Sequence, residues 1–113
     1  DFSGRGGENL SYSKPDLVAP GVDILAPSVG GSYTGVTGTS FATPFVTGSA
    51  ALMMEWGITR RNDPFLWGEK VKAYLRRGAA PLPGIREYPD ERVGYGRLCI
   101  LEAFPRSSVP PFV

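Results

Sequence analysis

Histidine is absent from this 113-residue sequence, and cysteine occurs once, at Cys99. The lack of histidine removes the side chain that most often serves as general base near neutral pH. A single cysteine allows no disulfide within the chain, and a buried thiol is its simplest interpretation. No acidic cluster resembles a calcium site, so we expect neither a metal nor a cofactor.

Long apolar runs and an excess of charge are absent as well. The longest apolar stretch, residues 41–54, is too short and too rich in hydroxyl groups to span a bilayer. The net charge of +1 gives no reason to expect a nucleic acid or an anionic membrane as partner. At this length the chain is at most one domain, and its 15 glycines and 11 prolines indicate many turns.

Short apolar segments in the first third of the chain indicate strands. Residues 17–19 and 22–26 are separated by the turn-forming pair Pro20-Gly21, and their β-branched members favour buried strands. A further short strand is expected at residues 33–36, within a glycine-rich stretch.

The clearest helix begins within "GTSFATPFVTGSAALMMEW", residues 38–56. Thr39 or Ser40 is expected to be the N-cap, and Pro44 falls in or just after the first turn, where a missing N–H is tolerated best. Residues 45–55 are apolar on every side, which is typical of a buried helix. A chain of this size can hardly surround such a helix, which indicates that a larger body belongs around it.

A second, amphipathic helix is predicted from Asp63, as cap, to Gly78, as stop, with Pro64 at its first position. Its apolar stripe comprises Trp67, Val71, Tyr74 and Leu75, at helical spacing. The charged residues Glu69, Lys70, Lys72, Arg76 and Arg77 are expected to form a solvated face. A short apolar turn at residues 98–104 and an extended tail at residues 105–113 follow.

The sequence allows two interpretations of Ser40, which stands at the start of the first helix. Unpaired N–H groups and the helix dipole concentrate positive potential there, so its hydroxyl could act as a nucleophile beside donors for an oxyanion. Serine is also a common helix cap, and the sequence pattern by itself leaves both interpretations open. A phosphate-binding loop is excluded because no lysine occurs between Lys14 and Lys70.

The segment "GTSFATPFVTGSAAL" closely resembles the active-site serine segment of the subtilisin-like serine proteases, whose pattern is Gly-Thr-Ser-x-Ala-x-Pro followed by a small, apolar helix. "KPDLVAPGVDILA" upstream and "RVGYGRLCILEAF" downstream are similar to further segments of that family, although Cys99 and Ile100 depart from its usual residues. Phe45 stands where many members carry a structural histidine. Residues 1–104 therefore resemble the C-terminal part of a subtilase catalytic domain. The resemblance implies an α/β fold with three layers and a mostly parallel sheet.

The resemblance also implies roles for individual residues. Ser40 is the catalytic nucleophile, with its own N–H and the Thr39 hydroxyl as oxyanion donors, while Val36, Thr37 and Gly38 border the leaving-group side of the substrate cleft. The triad Asp and His, and the side-chain amide of the oxyanion hole, precede the serine in the family's chain order, so this chain carries one triad residue. Without a base a serine hydroxyl is a weak nucleophile, so the isolated chain is expected to be inactive.

Taken together, the resemblance implies that the intact parent protein is a serine endopeptidase acting on protein or peptide substrates through an acyl-enzyme on Ser40. Its expected partner is the N-terminal part of the same domain, and the isolated chain is expected to self-associate. The stretch "ALMMEWGITRRNDPFLWGEKVKAYLRRGA" is similar to subtilases of anaerobic, spore-forming bacteria, which favours an extracellular, spore or cell-envelope location over a cytoplasmic one. A catalytically dead, subtilase-like signalling or binding protein is the alternative that Ser40 alone leaves open. The second alternative is a small structural domain in which Ser40 only caps a helix.

Overall fold

An antiparallel hairpin is the first regular structure in the computed structural model, which describes residues 3–6 and 14–104. Strand β1 (Ile24–Pro27) pairs with β2 (Tyr33–Val36), with Ile24 opposite Val36 and Pro27 opposite Tyr33. These strands confirm the elements predicted at residues 22–26 and 33–36. Burial alternates along β1, so it is a half-exposed strand rather than a fully buried one.

The strand predicted at residues 17–19 is wrong, because the structure forms only a single parallel bridge there, between Val18 and Arg97. The Val18 N–H donates to the Gly96 carbonyl at 2.9 Å, and the Leu98 N–H donates to the Val18 carbonyl at 2.7 Å. The next bond of a parallel ladder would need an N–H at residue 20, which is proline. The pairing therefore ends after one step.

Helix α1 spans Thr39–Met54 and continues as a π-helical segment, Glu55–Thr59. Its N-cap is Gly38, and no side chain makes a capping hydrogen bond. The expectation that Thr39 or Ser40 is the cap is therefore wrong, since these are the first two helical residues. Gly38 has a φ of 151° and a ψ of 159°, a combination open almost only to glycine, and it turns the chain from β2 into α1 within two residues. Pro44 comes just after the first turn, as predicted.

The chain covers one face of α1 and leaves the other open. Ser49 and Met53 are buried on the covered face, whereas Phe45 and Leu52 on the adjoining face are 42% and 59% exposed. The open face consists of Phe41, Phe45, Gly48 and Leu52, which recur at helical spacing, and we call it the apolar stripe of α1. The prediction that this chain does not surround its apolar helix is confirmed.

The core lies where α1 meets the second half of the chain. Its buried apolar residues are Met53, Leu66, Val71, Tyr74, Leu75 and Ala103. They come from α1, from the loop before α2 (Glu69–Arg77), from α2 itself and from α3 (Ile100–Ala103). The short turn expected at residues 98–104 is thus helical at its centre, and the predicted tail at residues 105–113 lies outside the described residues.

Helix α2 begins five residues later than predicted. Its N-cap is Gly68, and Gly78 ends it as expected. The start at Asp63 is wrong because Asp63 uses its carboxylate for a local turn, in which Oδ1 accepts the Phe65 N–H at 3.1 Å. Trp67 therefore lies outside the helix and is exposed, while Val71, Tyr74 and Leu75 form the buried stripe.

The charged face of α2 is not simply solvated. Lys72 Nζ and Arg76 Nη1 lie 3.5 and 3.7 Å from the carboxylate of Asp16, which also contacts Lys14 Nζ at 2.6 Å. Burial tends to raise the pKa of Asp16, but the Lys14 hydrogen bond and the nearby lysine charges outweigh burial and hold that pKa below its usual value. This cluster fastens the segment at residues 14–18 to α2.

No helix among the described residues has the length and apolar character to span a membrane.

Candidate active site

The site predicted from the sequence lies at the turn between β2 and α1. Val36 ends β2, Thr37 and Gly38 form the turn, and Thr39 and Ser40 open the helix. The structure thus places all five predicted residues on one continuous turn. Val36 and Gly38 are half-buried, whereas Thr37, Thr39 and Ser40 are exposed.

Ser40 presents its hydroxyl at the positive end of α1. Among the described residues, no hydrogen bond engages its side chain, and the first turn of the helix contains no acidic residue. By helix geometry the N–H groups of Thr39 and Ser40 have no acceptor within the helix. This arrangement can place an anionic oxygen beside unpaired N–H groups, where the helix dipole stabilises it.

The residues around Ser40 differ in the hydrogen bonds that they make. The Thr39 carbonyl accepts the Thr43 hydroxyl at 3.1 Å, and the Thr39 hydroxyl makes no hydrogen bond within the described part of the chain, so it is available as a donor. The Thr37 hydroxyl is already engaged, because it accepts the Asp23 N–H at 3.0 Å. Gly38 donates its N–H to the Gly21 carbonyl at 2.7 Å. The turn is therefore tied to the residues before β1.

A cleft of about 470 Å³ lies beside the site and includes only Thr39 of its five residues. Its walls include the face of α1 that carries Thr39, Ala42 and Val46, the segment at residues 15–22, and side chains from residues 3–5 and 92–93. Ser40, Val36, Thr37 and Gly38 do not line it. The structure therefore brings the predicted cleft residues together on an open surface rather than in a closed pocket.

Two residues that matter to the site were missed in the sequence. Gly21 and Asp23 hold the turn, yet they lie 17 and more residues before Ser40. The signal that could have found them is the hairpin register: once Ile24 is placed opposite Val36, the residues before Ile24 must face Thr37 and Gly38. Among the described residues no group of three or more His, Cys, Asp or Glu side chains is arranged to hold a metal.

Comparison with known proteins shows which family this sequence matches. Residues 1–96 match the family model described as the subtilase family, peptidase S8. The chain is 42% identical over 66 residues to a PII-type proteinase of Lactococcus lactis subsp. cremoris, a match that covers 58% of the chain. It is 37% identical over 75 residues to an intracellular serine protease of Paenibacillus polymyxa, which covers 63% of the chain.

Among solved structures, the chain resembles the CspB protease of Clostridium perfringens. The two are 46% identical with a TM-score of 0.85, and the match covers 90% of this chain. This likeness and the family match confirm the predicted α/β fold of the subtilisin-like class. The chain spans only 3% of the Lactococcus proteinase, 23% of the Paenibacillus protease and 22% of the CspB chain.

Proposed function

The chain belongs to the subtilase family, and from this premise we propose that the protein containing it is a serine endopeptidase that cleaves peptide bonds through an acyl-enzyme on Ser40. One observation carries the proposal: within the family match, Ser40 is the exposed second residue of α1, preceded by a glycine turn. The named relatives are proteases, which supports protein or peptide substrates.

The chemistry assigned to this chain is nucleophilic attack and charge stabilisation. The Ser40 Oγ attacks the scissile carbonyl carbon, and the carbonyl oxygen becomes an oxyanion. We assign the Ser40 N–H and the Thr39 hydroxyl, at the positive end of α1, as the donors to that oxygen. The proton of the Ser40 hydroxyl must pass to a base from outside these 113 residues, because the chain has no histidine.

The residues just before the nucleophile are assigned to the leaving-group side of the substrate. Val36, Thr37 and Gly38 lie on the open surface that leads to Ser40, and the half-buried Gly38 presents no side chain there. A peptide can approach the serine over this glycine. The Thr37 hydroxyl oxygen already accepts the Asp23 N–H, so toward a peptide this hydroxyl can still act as a donor.

We assign the N-terminal part of the same catalytic domain as the partner of this chain. The apolar stripe of α1 is open in the described residues, and burial of the part of its phenylalanine and leucine side chains that is still exposed would stabilise the fold by about 1 kcal/mol each. Neighbouring polypeptide that covers this stripe would also bring a base and a second oxyanion donor toward Ser40.

The test is covalent labelling of the full-length protein with a fluorophosphonate probe. We expect stoichiometric labelling at Ser40, its loss in the Ser40→Ala variant, and cleavage of casein or a peptide ester by the unmodified protein. The isolated 113-residue chain should neither label nor cleave, because triad members act as a unit. A folded full-length protein that stays unlabelled would favour a catalytically inactive family member.

A further inference from the structure

We propose that the Thr37 hydroxyl is a positioning group for Ser40, acting through a bulge at residues 22–23 that fixes the turn before the nucleophile. The inference rests on the proposed function, because it assigns a role in the same reaction. Thr37 does not touch the reacting atoms in this account, and its effect passes through the backbone of Gly38.

The bulge follows from a change of register beside the hairpin. Within the sheet, Ile24 lies opposite Val36, so regular pairing would set residue 22 opposite Gly38. The Gly38 N–H instead donates to the carbonyl of Gly21. One extra residue is therefore accommodated between Gly21 and Ile24. Bulges of this kind redirect a strand, and they are frequent beside active sites.

The extra residue imposes an unfavourable backbone conformation on Asp23, whose φ is 52°. Residues other than glycine adopt such an angle rarely, and it persists where surrounding contacts hold it. The contact here is the 3.0 Å hydrogen bond that the Asp23 N–H donates to Thr37 Oγ1. The hydroxyl thus serves as the acceptor that a regular ladder would have supplied from the backbone.

The position of the bulge is transmitted directly to the start of α1. A Cβ on Gly21 would lie 2.9 Å from the Gly38 carbonyl oxygen and 3.2 Å from the Ala42 Cβ, so the two backbones are in close contact. A shift of the bulge must move Gly38, and Gly38 is two residues before Ser40. Because misplacement of a reacting group by about 1 Å lowers rates on the order of 100-fold, even a partial relaxation should be measurable.

The experiment compares three variants of the full-length protein. Thr37→Val keeps the shape of the side chain and removes the acceptor, whereas Thr37→Ser keeps the hydroxyl. Thr34→Val makes the same exchange at an exposed threonine of β2 whose side chain makes no hydrogen bond within residues 3–6 and 14–104, and serves as the matched control. Each is assayed for kcat and KM on a peptide ester, for the rate of fluorophosphonate labelling, and for amide hydrogen exchange at Asp23 and Gly38.

We expect Thr37→Val to lower kcat and the labelling rate about tenfold, with KM within about twofold, as for partial misplacement of the nucleophile. Exchange at Asp23 and Gly38 should become faster. Thr37→Ser should restore most of the rate, and Thr34→Val should match the wild type. Wild-type kcat in Thr37→Val, a loss confined to KM, or a serine variant as slow as the valine variant would each overturn the proposal.

Failure of the proposed function is separable from failure of this inference. If the wild-type protein does not label at all, the endopeptidase assignment fails. The exchange data still decide whether Thr37 fixes the turn: unchanged protection of Gly38 in Thr37→Val overturns that role, and faster exchange supports it. Should the valine variant not fold, Thr37→Ala removes the same acceptor, and wild-type kcat and Gly38 protection in that variant would overturn the proposal.

Discussion

The carboxylate of Asp63 and the ammonium of Lys70 lie 2.6 Å apart, and the Asp63 side chain is only 4% exposed. The other carboxylate oxygen of Asp63 accepts the Phe65 N–H, so one buried residue both shapes the loop before α2 and binds the first turn of that helix. The same loop inserts the fully buried Leu66 into the core. This ion pair therefore connects loop conformation to core packing.

Removal of Lys70 should destabilise the protein. Lys70→Met leaves a buried carboxylate without its cation, and we expect the free energy of unfolding to fall by about 2 kcal/mol, since Lys70 itself is partly exposed. Urea denaturation followed by tryptophan fluorescence measures the change. Arg86→Met, which removes an exposed cation, is the control and should change stability by less than about 0.5 kcal/mol. Equal stability of the two variants would contradict the role assigned to the pair.

The Asp16 cluster should make stability depend on pH in the acidic range. The pKa of Asp16 is lowered in the folded state, so its contribution is fully present above its unfolded pKa of about 3.9 and is lost as the pH falls through the folded value. Asp16→Asn should therefore be less stable than the wild type at pH 6, and the difference should shrink as the pH falls below about 4. Urea unfolding at a series of pH values tests this, and a difference that grows on acidification would contradict it.

Substitution of Ser40 should leave stability nearly unchanged. The N-cap of α1 is Gly38, and the described residues make no hydrogen bond with the Ser40 side chain, so Ser40→Ala removes no capping interaction. We expect the free energy of unfolding to change by less than about 0.5 kcal/mol, against about 1 kcal/mol for loss of a true cap. A larger loss in thermal denaturation would show that the hydroxyl has a structural partner.

The isolated chain should associate through the apolar stripe of α1. Phe45→Glu and Leu52→Glu place charges in this stripe, and each should shift the chain toward the monomer in size-exclusion chromatography with light scattering. Val29→Glu, at the exposed hairpin turn and outside the stripe, is the control and should leave the oligomeric state unchanged. A chain that is monomeric before any substitution would count against an unpartnered stripe.

Local pattern was sufficient for part of this structure. The start of α1 was predicted to within two residues, and its apolar character on all sides and the end of α2 at Gly78 were predicted as well, because helical periodicity and helix-stop signals are properties of neighbouring residues. The family resemblance of the Gly-Thr-Ser segment is likewise a property of contiguous sequence, and the family match confirmed it.

Some polar side chains could form several different local interactions, and only the tertiary structure determined which interaction forms. Asp63 resembles a helix cap, but its carboxylate and the burial of Leu66 hold it in a turn instead, so α2 begins at Glu69. The placement of Thr37 beside the cleft stays a prediction, and only the structure shows that its hydroxyl also accepts the N–H of Asp23, fourteen residues earlier. In both places a short polar side chain could satisfy several nearby partners at similar free energy, and contacts between distant segments determined which partner it bound.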